Sequence, residues 1–307
     1  MNLEQLRAFV TVAQVGNFTR AAEQLHLAQP SLSRQIAALE QDLGGALFTR
    51  ARAGSVLTAA GESLLPLARR MLADAASVRR ELDALAGLRR GRVRLGATPT
   101  LCVSIVAEVL NAFHAAHPAI ELHITERGSR GLLDALGGGE LDLALITTSG
   151  AASAEKFTVT PLLVEELVVV SSSDAPPLTS RESIRLAEVA ELPQIVFSST
   201  YDLRGATDAA FEEAGLSPRA VIEGAEMDAV LRFVERGIGV AIVPAMVMIE
   251  RQGLREVRLA EPTLTRTISL ARVTDIAPTP AAEVMQQTIA RTAAIMAERP
   301  EATMRLA

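Results

Sequence analysis

The sequence predicts an α/β protein in three parts: a small, mainly α head, one long connecting helix, and an α/β body in two similar lobes. Three observations support this. Residues 1–92 carry 12 Arg against 8 acidic residues, net +4, whereas the remaining residues carry 18 basic and 28 acidic ones, net −10. Apolar residues recur at helical spacing through about residue 86. Beyond that point strand-like and helix-like runs alternate, and the alternation occurs twice. A chain of 307 residues that is 49% hydrophobic has material for two or three packed domains and is not a disordered polymer.

Composition removes several classes of function. Aromatic residues make up 3%, with no Trp and one Tyr, too few for a stacking platform on single-stranded nucleic acid. The single cysteine, Cys102, leaves no disulfide framework and no Cys-rich zinc module. The opening MNLEQLRAFV lacks the basic and apolar regions of an export signal. The longest apolar stretch, 238–249, contains Gly239 and Pro244 and is too short to cross a bilayer. The expectation is a cytoplasmic protein with no membrane partner.

In the head, Leu3, Leu6, Phe9, Val10 and Ala13 follow Asn2, a good helix cap, and Gly16 ends the run. Asn17 can cap a second helix from Phe18 to about Leu25, with Ala21, Ala22 and Leu25 inward. After a short break, Pro30 suits the first turn of a third helix, where its missing N–H costs nothing. That helix carries Leu32, Ile36, Leu39 and Leu43 on one face. Ser31, Ser33, Arg34 and Gln35 stand on the other.

Two short helices joined by a tight turn, the second opening Gln29-Pro30-Ser31, describe a helix-turn-helix. Small residues let such a helix sit deep in the major groove. Arg34 and Gln35 can contact base edges in bidentate fashion, while the hydroxyls and the helix N-terminus suit phosphates. Residues 49–57 then form an Arg-bearing hairpin pattern, a candidate wing against the DNA backbone. The rival is an ordinary three-helix bundle with a solvated Arg face. The DNA-binding candidates are Asn17, Thr19, Gln29, Pro30, Ser31, Ser33, Arg34, Gln35, Arg50 and Arg52.

Phe9, Phe18-Thr19-x-Ala21-Ala22, Leu25, Gln29-Pro30-Ser31-x-Ser33, Ile36, Leu39-Glu40, Leu43-Gly44 and Leu47-Phe48-x-Arg50 together resemble the N-terminal domain of LysR-type transcriptional regulators. The resemblance is dense over about 65 residues. It implies a winged helix-turn-helix, a dimerising linker helix and a periplasmic-binding-protein-like effector domain. It further implies a homotetramer built as a dimer of dimers, a dyad operator in double-stranded DNA, and action through RNA polymerase. The family wing usually reads Arg-x-Gly-Arg; here it reads Arg50-Ala51-Arg52-Ala53-Gly54.

The connecting helix is expected from Thr58 to about Ala86. Leu64, Ala68, Met71, Ala75, Val78, Leu82 and Leu85 are spaced alternately by four and three, the 3.5-residue repeat of a coiled-coil seam. Pro66 lies inside it and costs a backbone hydrogen bond. A lone connector helix is the alternative; the resemblance favours pairing. Dimerisation matters because one recognition helix reads only a few base pairs, whereas a two-fold pair reads both halves of a dyad.

The boundaries expected are 1–58 for the DNA-binding domain, 59–91 for the linker helix and hinge, and 92–307 for the effector domain. Within the last, one lobe takes 92–162 and 268–300 and the other 163–267. Strands near 162–170 and 267–273 would cross between lobes, and a helix from Pro280 to about Glu298 would return to the first. Alternation of strands and helices implies parallel sheets, whose ligands sit at the carboxyl ends of the strands. There the loops are rich in hydroxyls, which with helix N-termini favour a small anion such as a carboxylate or phosphate. The effector-binding candidates are Thr98, Thr100, Leu101, Thr147, Thr148, Ser199, Thr200, Tyr201 and Glu226. For each Ser or Thr, simple helix capping is the competing role.

Enzymatic signals are lacking. Gly237-Ile238-Gly239 begins a nucleotide-binding pattern but lacks its last glycine and follows a helix instead of opening one. His26, His114, His117 and His123 have no triad or metal-ligand company in sequence. Cys102 has no thiol with which to form an internal switch. No cofactor and no metal are expected. The reading is a sequence-specific DNA-binding transcriptional regulator modulated by a small-molecule effector held between two lobes. The alternatives are an architectural DNA-binding protein without effector and, further off, an enzyme or solute-binding protein on the same body. The effector, the target genes and the sign of regulation are not written in the residues.

Overall fold

A computed structural model describes residues 1–51, 54–84, 91–148, 156–199, 201–248, 251–298 and 304–307. They divide into two compact units, Met1–Gly91 with Asp134–Leu141, and Arg92–Leu133 with Asp142–Ala307.

In the first unit, α1 (Leu3–Val15) opens on a reciprocal cap in which Asn2 and Gln5 each accept the other's backbone N–H at 2.9 Å. It ends at Gly16, whose φ of 68° is a left-handed conformation open to glycine. Helices α2 (Phe18–Gln24) and α3 (Gln29–Leu43) follow, then the antiparallel strands β1 (Phe48–Ala51) and β2 (Gly54–Leu57). Helix α4 (Ala59–Ala84) contains Pro66. Phe9, Val12, Ala21, Leu32, Leu39 and Ala68 are buried at the centre, and Phe48 packs its ring against Phe9 and Phe18 at 5.4 and 5.6 Å. The Glu40 carboxylate accepts from the N–H groups of Leu47 and Phe48 at 2.7 and 3.3 Å, which holds the entry to the hairpin. Thr58 anchors α4, with its hydroxyl donating to the Ala46 carbonyl at 2.7 Å and accepting from Gly61 N–H at 3.1 Å.

Two expectations for this unit need correction. Leu3 and Leu43 are both 45% exposed, because they sit in terminal turns that reach beyond the core. The seam of α4 is not uniform: Ala68 is buried and Leu64 packs beside it in the head's own core, whereas Met71 and Val78 are exposed. A helix that begins against a globular domain must turn its first apolar residues toward that domain. Leu85 lies outside the described residues.

The second unit begins with β3 (Gly91–Ala97), α5 (Pro99–Leu101), a π-helical segment (Cys102–Val106) and α6 (Ala107–Ala116). Then come β4 (Ile120–Glu126), α7 (Ser129–Gly137), β5 (Leu143–Thr148), β6 (Phe157–Ser172), β7 (Ser183–Arg185) and α8 (Leu186–Ala190). The remainder is β8 (Gln194–Phe197), α9 (Asp202–Glu213), β9 (Ala220–Ala225), α10 (Met227–Glu235), β10 (Ala241–Pro244), a 3-10 turn (Ala245–Met248), β11 (Leu254–Ala260), β12 (Thr265–Val273), α11 (Pro280–Ala297) and β13 (Met304–Leu306).

The spine is β6, a single 16-residue strand that begins earlier than the one expected near 162–170. Its first half pairs antiparallel with β12, from Phe157↔Val273 to Glu166↔Thr265. Its second half pairs antiparallel with β10 and β11. The expectation of purely parallel sheets is therefore corrected. Parallel pairing survives at β3·β5, β8·β9 and β7·β11, but a strand shared by two lobes and its returning partner must run in opposite senses. Each lobe has its own core. One gathers Leu95, Phe113, Leu143, Met285 and Ile289, and so recruits α11; the other gathers Val168, Leu186, Phe211, Leu231 and Val243. The run Pro99–Ala116 has the length and composition of a membrane span. Its apolar residues Leu101, Ile105, Val109 and Phe113 are fully buried in the first lobe's core, which accounts for that composition.

Candidate functional site

The turn before α3 contains His26 in a left-handed conformation, φ 54°, and α3 then opens at Gln29 behind Ala28 with no side-chain cap. In its first turn Pro30 has no N–H, and Ser31 and Leu32 N–H both donate to the Ala28 carbonyl, at 2.9 and 3.2 Å, so the backbone alone closes the start of the helix. Gln29, Pro30 and Arg34 are exposed and Ser31, Ser33 and Gln35 are half-buried; Pro30 and Arg34 lie opposite the buried face of Leu32, Ile36 and Leu39, and the others flank it. These groups bond each other: Gln29 Nε2 donates to Ser33 Oγ at 2.9 Å and Arg34 Nη2 to Ser31 Oγ at 3.3 Å. Asn17 serves as the cap of α2, accepting from Thr19 and Arg20 N–H at 2.9 and 3.1 Å, with Thr19 exposed beside it. Arg50 pairs with Ser55 in the hairpin, and Arg52 lies outside the described residues.

In the second unit, Thr98 and Thr100 follow the end of β3 and are 4% and 1% exposed. Thr98 occupies the cap position of α5 but makes no cap hydrogen bond, and its Oγ1 has no partner. The Thr100 hydroxyl accepts from Arg266 Nη1 at 3.0 Å. Arg266, on β12 and 6% exposed, also donates from Nε to Glu165 at 2.8 Å, while its Nη2 is buried without a partner. Glu165 is fully buried on β6, and its second oxygen accepts from Met246 N–H at 2.7 Å. The pair is thus neutral as a whole, with one guanidinium donor left over.

Across from it stands Tyr201, stacked on Phe197 with centroids 4.9 Å apart and its hydroxyl buried without a partner. Burial, and then the negative charge of Glu226, Glu126 and Asp202, push that hydroxyl's pKa up against the pull of Arg266. The same Glu126, after burial itself, raises the Cys102 thiol to about 11. The lobes are joined nearby: the Asp202 carboxylate accepts from Ser129 N–H at 3.0 Å and from the Thr147 hydroxyl at 3.4 Å. Ser129 Oγ in turn bonds the Thr147 backbone on both sides, at 3.1 Å each.

Thr147 bonds Asp202 where the lobes are joined, Thr100 holds Arg266, and Glu226 follows Ala225, which pairs with Phe197 beneath Tyr201. Leu101 is corrected: its side chain is fully buried in the first lobe's core and does not line a cleft. Thr148, next along β5, faces the opposite side of the sheet from Thr147, as successive strand residues must. Ser199 is exposed, and Thr200 lies outside the described residues. Sequence reasoning missed Arg266, Glu165, Ser129, Asp202 and Glu126. A signal existed for the first two, since a charged residue inside the apolar runs TRTISLARV and LLVEELVVV must find a partner when buried.

Comparison with known proteins bears on both units. Residues 3–62 match the family described as bacterial regulatory helix-turn-helix protein, lysR family, and residues 86–294 match the LysR substrate binding domain. An HTH-type transcriptional regulator of Bacillus subtilis, YybE, is 33% identical over 287 residues, covering 94% of this chain and 97% of that protein. A probable nitrogen assimilation transcriptional activator of Synechococcus elongatus is 33% identical over 275 residues, covering 88% of each. Among solved structures, a full-length OxyR variant from Pseudomonas aeruginosa superposes with a TM-score of 0.73 at 26% identity, covering 94% of this chain and 98% of that one. With a helix-turn-helix in its first unit and two α/β lobes in its second, the chain belongs to the LysR family of DNA-binding transcriptional regulators.

Proposed function

We propose that residues 1–58 read a dyad operator through α3 and the β1–β2 wing, that 59–91 pair subunits, and that 92–307 bind a small effector. Arg34 and Gln35 contact base edges, Ser31, Ser33 and the α3 N-terminus contact phosphates, and Arg50 and Arg52 hold the backbone. The effector is held by Thr98, Thr100, Arg266 and Tyr201, with Thr147, Ser129 and Asp202 closing over it. Effector binding changes how the lobes meet, and hence how paired heads are presented and DNA is bent. The assembly is a homotetramer acting in the cytoplasm on RNA polymerase, and the body performs no catalysis.

One observation carries the effector site. Thr98 Oγ1, Tyr201 Oη and Arg266 Nη2 are buried polar atoms without protein partners. Burying such a group unpaired costs about 1–3 kcal/mol. Ser55 Oγ and Arg69 Nε are also unpartnered, in the first unit, but in the second unit Arg266 bonds Thr100 beside Thr98's turn and its charge acts on Tyr201, and we read these three as one ligand site. The test is operator footprinting of the full-length protein, using duplexes enriched from random sequence, with and without small acids and amino acids. A ligand-dependent change in the protected span that vanishes in Thr98→Val and Tyr201→Phe is expected. A change that persists in both variants excludes these residues.

A further inference from the structure

We propose that the ligand of this cleft is a zwitterion, with a carboxylate directed at Arg266 and a cationic amine directed at Glu126 and Glu226. The inference rests on the effector-cleft reading above and replaces the simple anion suggested by the loop hydroxyls.

The charge balance of the cleft decides the class. Arg266 is the buried cation, and Glu165 already neutralises it through the 2.8 Å contact at Nε. What remains is one directed donor, Nη2, on the guanidinium whose Nη1 is held by Thr100, two residues along from the unpartnered hydroxyl of Thr98. That pair can bind a single carboxylate, but it supplies no surplus charge for a second. The strand ends bring acid to the same region: Glu126 ends β4, where the next N–H, of Arg127, donates to the Ala97 carbonyl at 3.4 Å beside Thr98 in sequence, and Glu226 follows Ala225, which pairs with Phe197, the ring under Tyr201. Their charge, with that of Asp202, raises the Tyr201 hydroxyl's pKa. Asp202 is engaged by Ser129 N–H and Thr147. Glu226, at the cap position of α10, and Glu126, at the end of β4, are exposed, and among the described residues their carboxylates make no hydrogen bond or ion pair. The buried end therefore offers donors to one carboxylate, and the open end offers unpaired negative charge to a cation. A dicarboxylate would bring its second charge against Glu126 and Glu226, and like charges so placed disfavour binding.

The test is calorimetric titration of the full-length protein with probes sharing one five-carbon chain: L-norvaline, δ-aminovalerate, valerate and glutarate. At least one of the amino acids is expected to bind about tenfold more tightly than valerate and glutarate, a factor equal to 1.4 kcal/mol. In Glu126→Gln/Glu226→Gln, two isosteric changes at exposed positions, that preference should shrink to about twofold while glutarate gains, since one uncompensated charge per partner is removed. Equal or tighter binding of glutarate to the unaltered protein overturns the proposal, as does a preference unmoved in the double variant, or no binding of either amino acid at millimolar concentration. The cleft reading fails separately: whichever probe binds, affinity unchanged in Thr98→Val and Tyr201→Phe moves the site elsewhere.

Discussion

Thr98 and Arg266 invert the usual relation between polarity and stability. A buried hydroxyl with no partner gives nothing back to the fold, so Thr98→Val should leave melting unchanged or raise stability by about 1 kcal/mol, while weakening the effector response. Thermal denaturation alongside ligand titration checks both halves of that expectation, and a clear loss of stability would mean that the hydroxyl is satisfied. Glu165 is the opposite case. Glu165→Leu strands the Arg266 charge in the interior and should cost about 3–5 kcal/mol, most of it recovered in Glu165→Leu/Arg266→Met. The double variant should fold and not respond. Cys102 supplies a pH test. Its thiol titrates near 11 in the fold against 9.0 unperturbed, so between those values the unfolded chain loses its proton first and stability falls as pH rises. Alkylation with iodoacetamide at pH 8 should accordingly be much slower for native than for denatured protein. The threonines were legible because they follow a strand at a helix entry. Arg266 was not, because its partners Glu165 and Thr100 are 101 and 166 residues away along the chain.

The recognition helix and the start of the linker helix depend on contacts of different range. Arg34→Ala on α3 should relax discrimination at one base position by about 1–3 kcal/mol with little change on random duplex, measured by fluorescence anisotropy. Equal losses on both duplexes would make it a phosphate contact. A Cβ at Gly61 would fall 2.3 Å from the Leu47 carbonyl oxygen and 2.8 Å from Leu57, so α4 can reach the wing only with glycine there. Gly61→Ala should destabilise the head by about 1–3 kcal/mol and weaken DNA binding through the displaced hairpin. No local pattern distinguishes Gly61 from any other helical glycine. The caps Asn2 and Asn17 and the stop at Gly16 were legible, because capping is settled within three or four residues. The split of the α4 seam was not, since which stripe of a long helix is covered depends on the neighbour it meets.

For the assembled protein, Met71 and Val78 are 41% and 57% exposed on α4, along with Leu67 at 54%. A stripe of large apolar residues on a linker helix suits pairing with a second copy. Met71→Glu/Val78→Glu should lower the oligomeric state in analytical ultracentrifugation without unfolding the subunit, because neither residue belongs to the head's core. An unchanged sedimentation coefficient would place the pairing surface elsewhere. Sequence was sufficient wherever the physics is local or periodic. Capped helices separated by a tight turn, an Arg-bearing hairpin and a doubled alternation of strands and helices gave the head and the two-lobed body. Folding was needed to extend the expected crossing strand back to Phe157, to turn the sheet from parallel to mixed, and to set Arg266 between Glu165 and Thr100. Those outcomes depend on which distant segments are buried together, and the energy of a buried charge or a shared strand exists only once its partner has arrived.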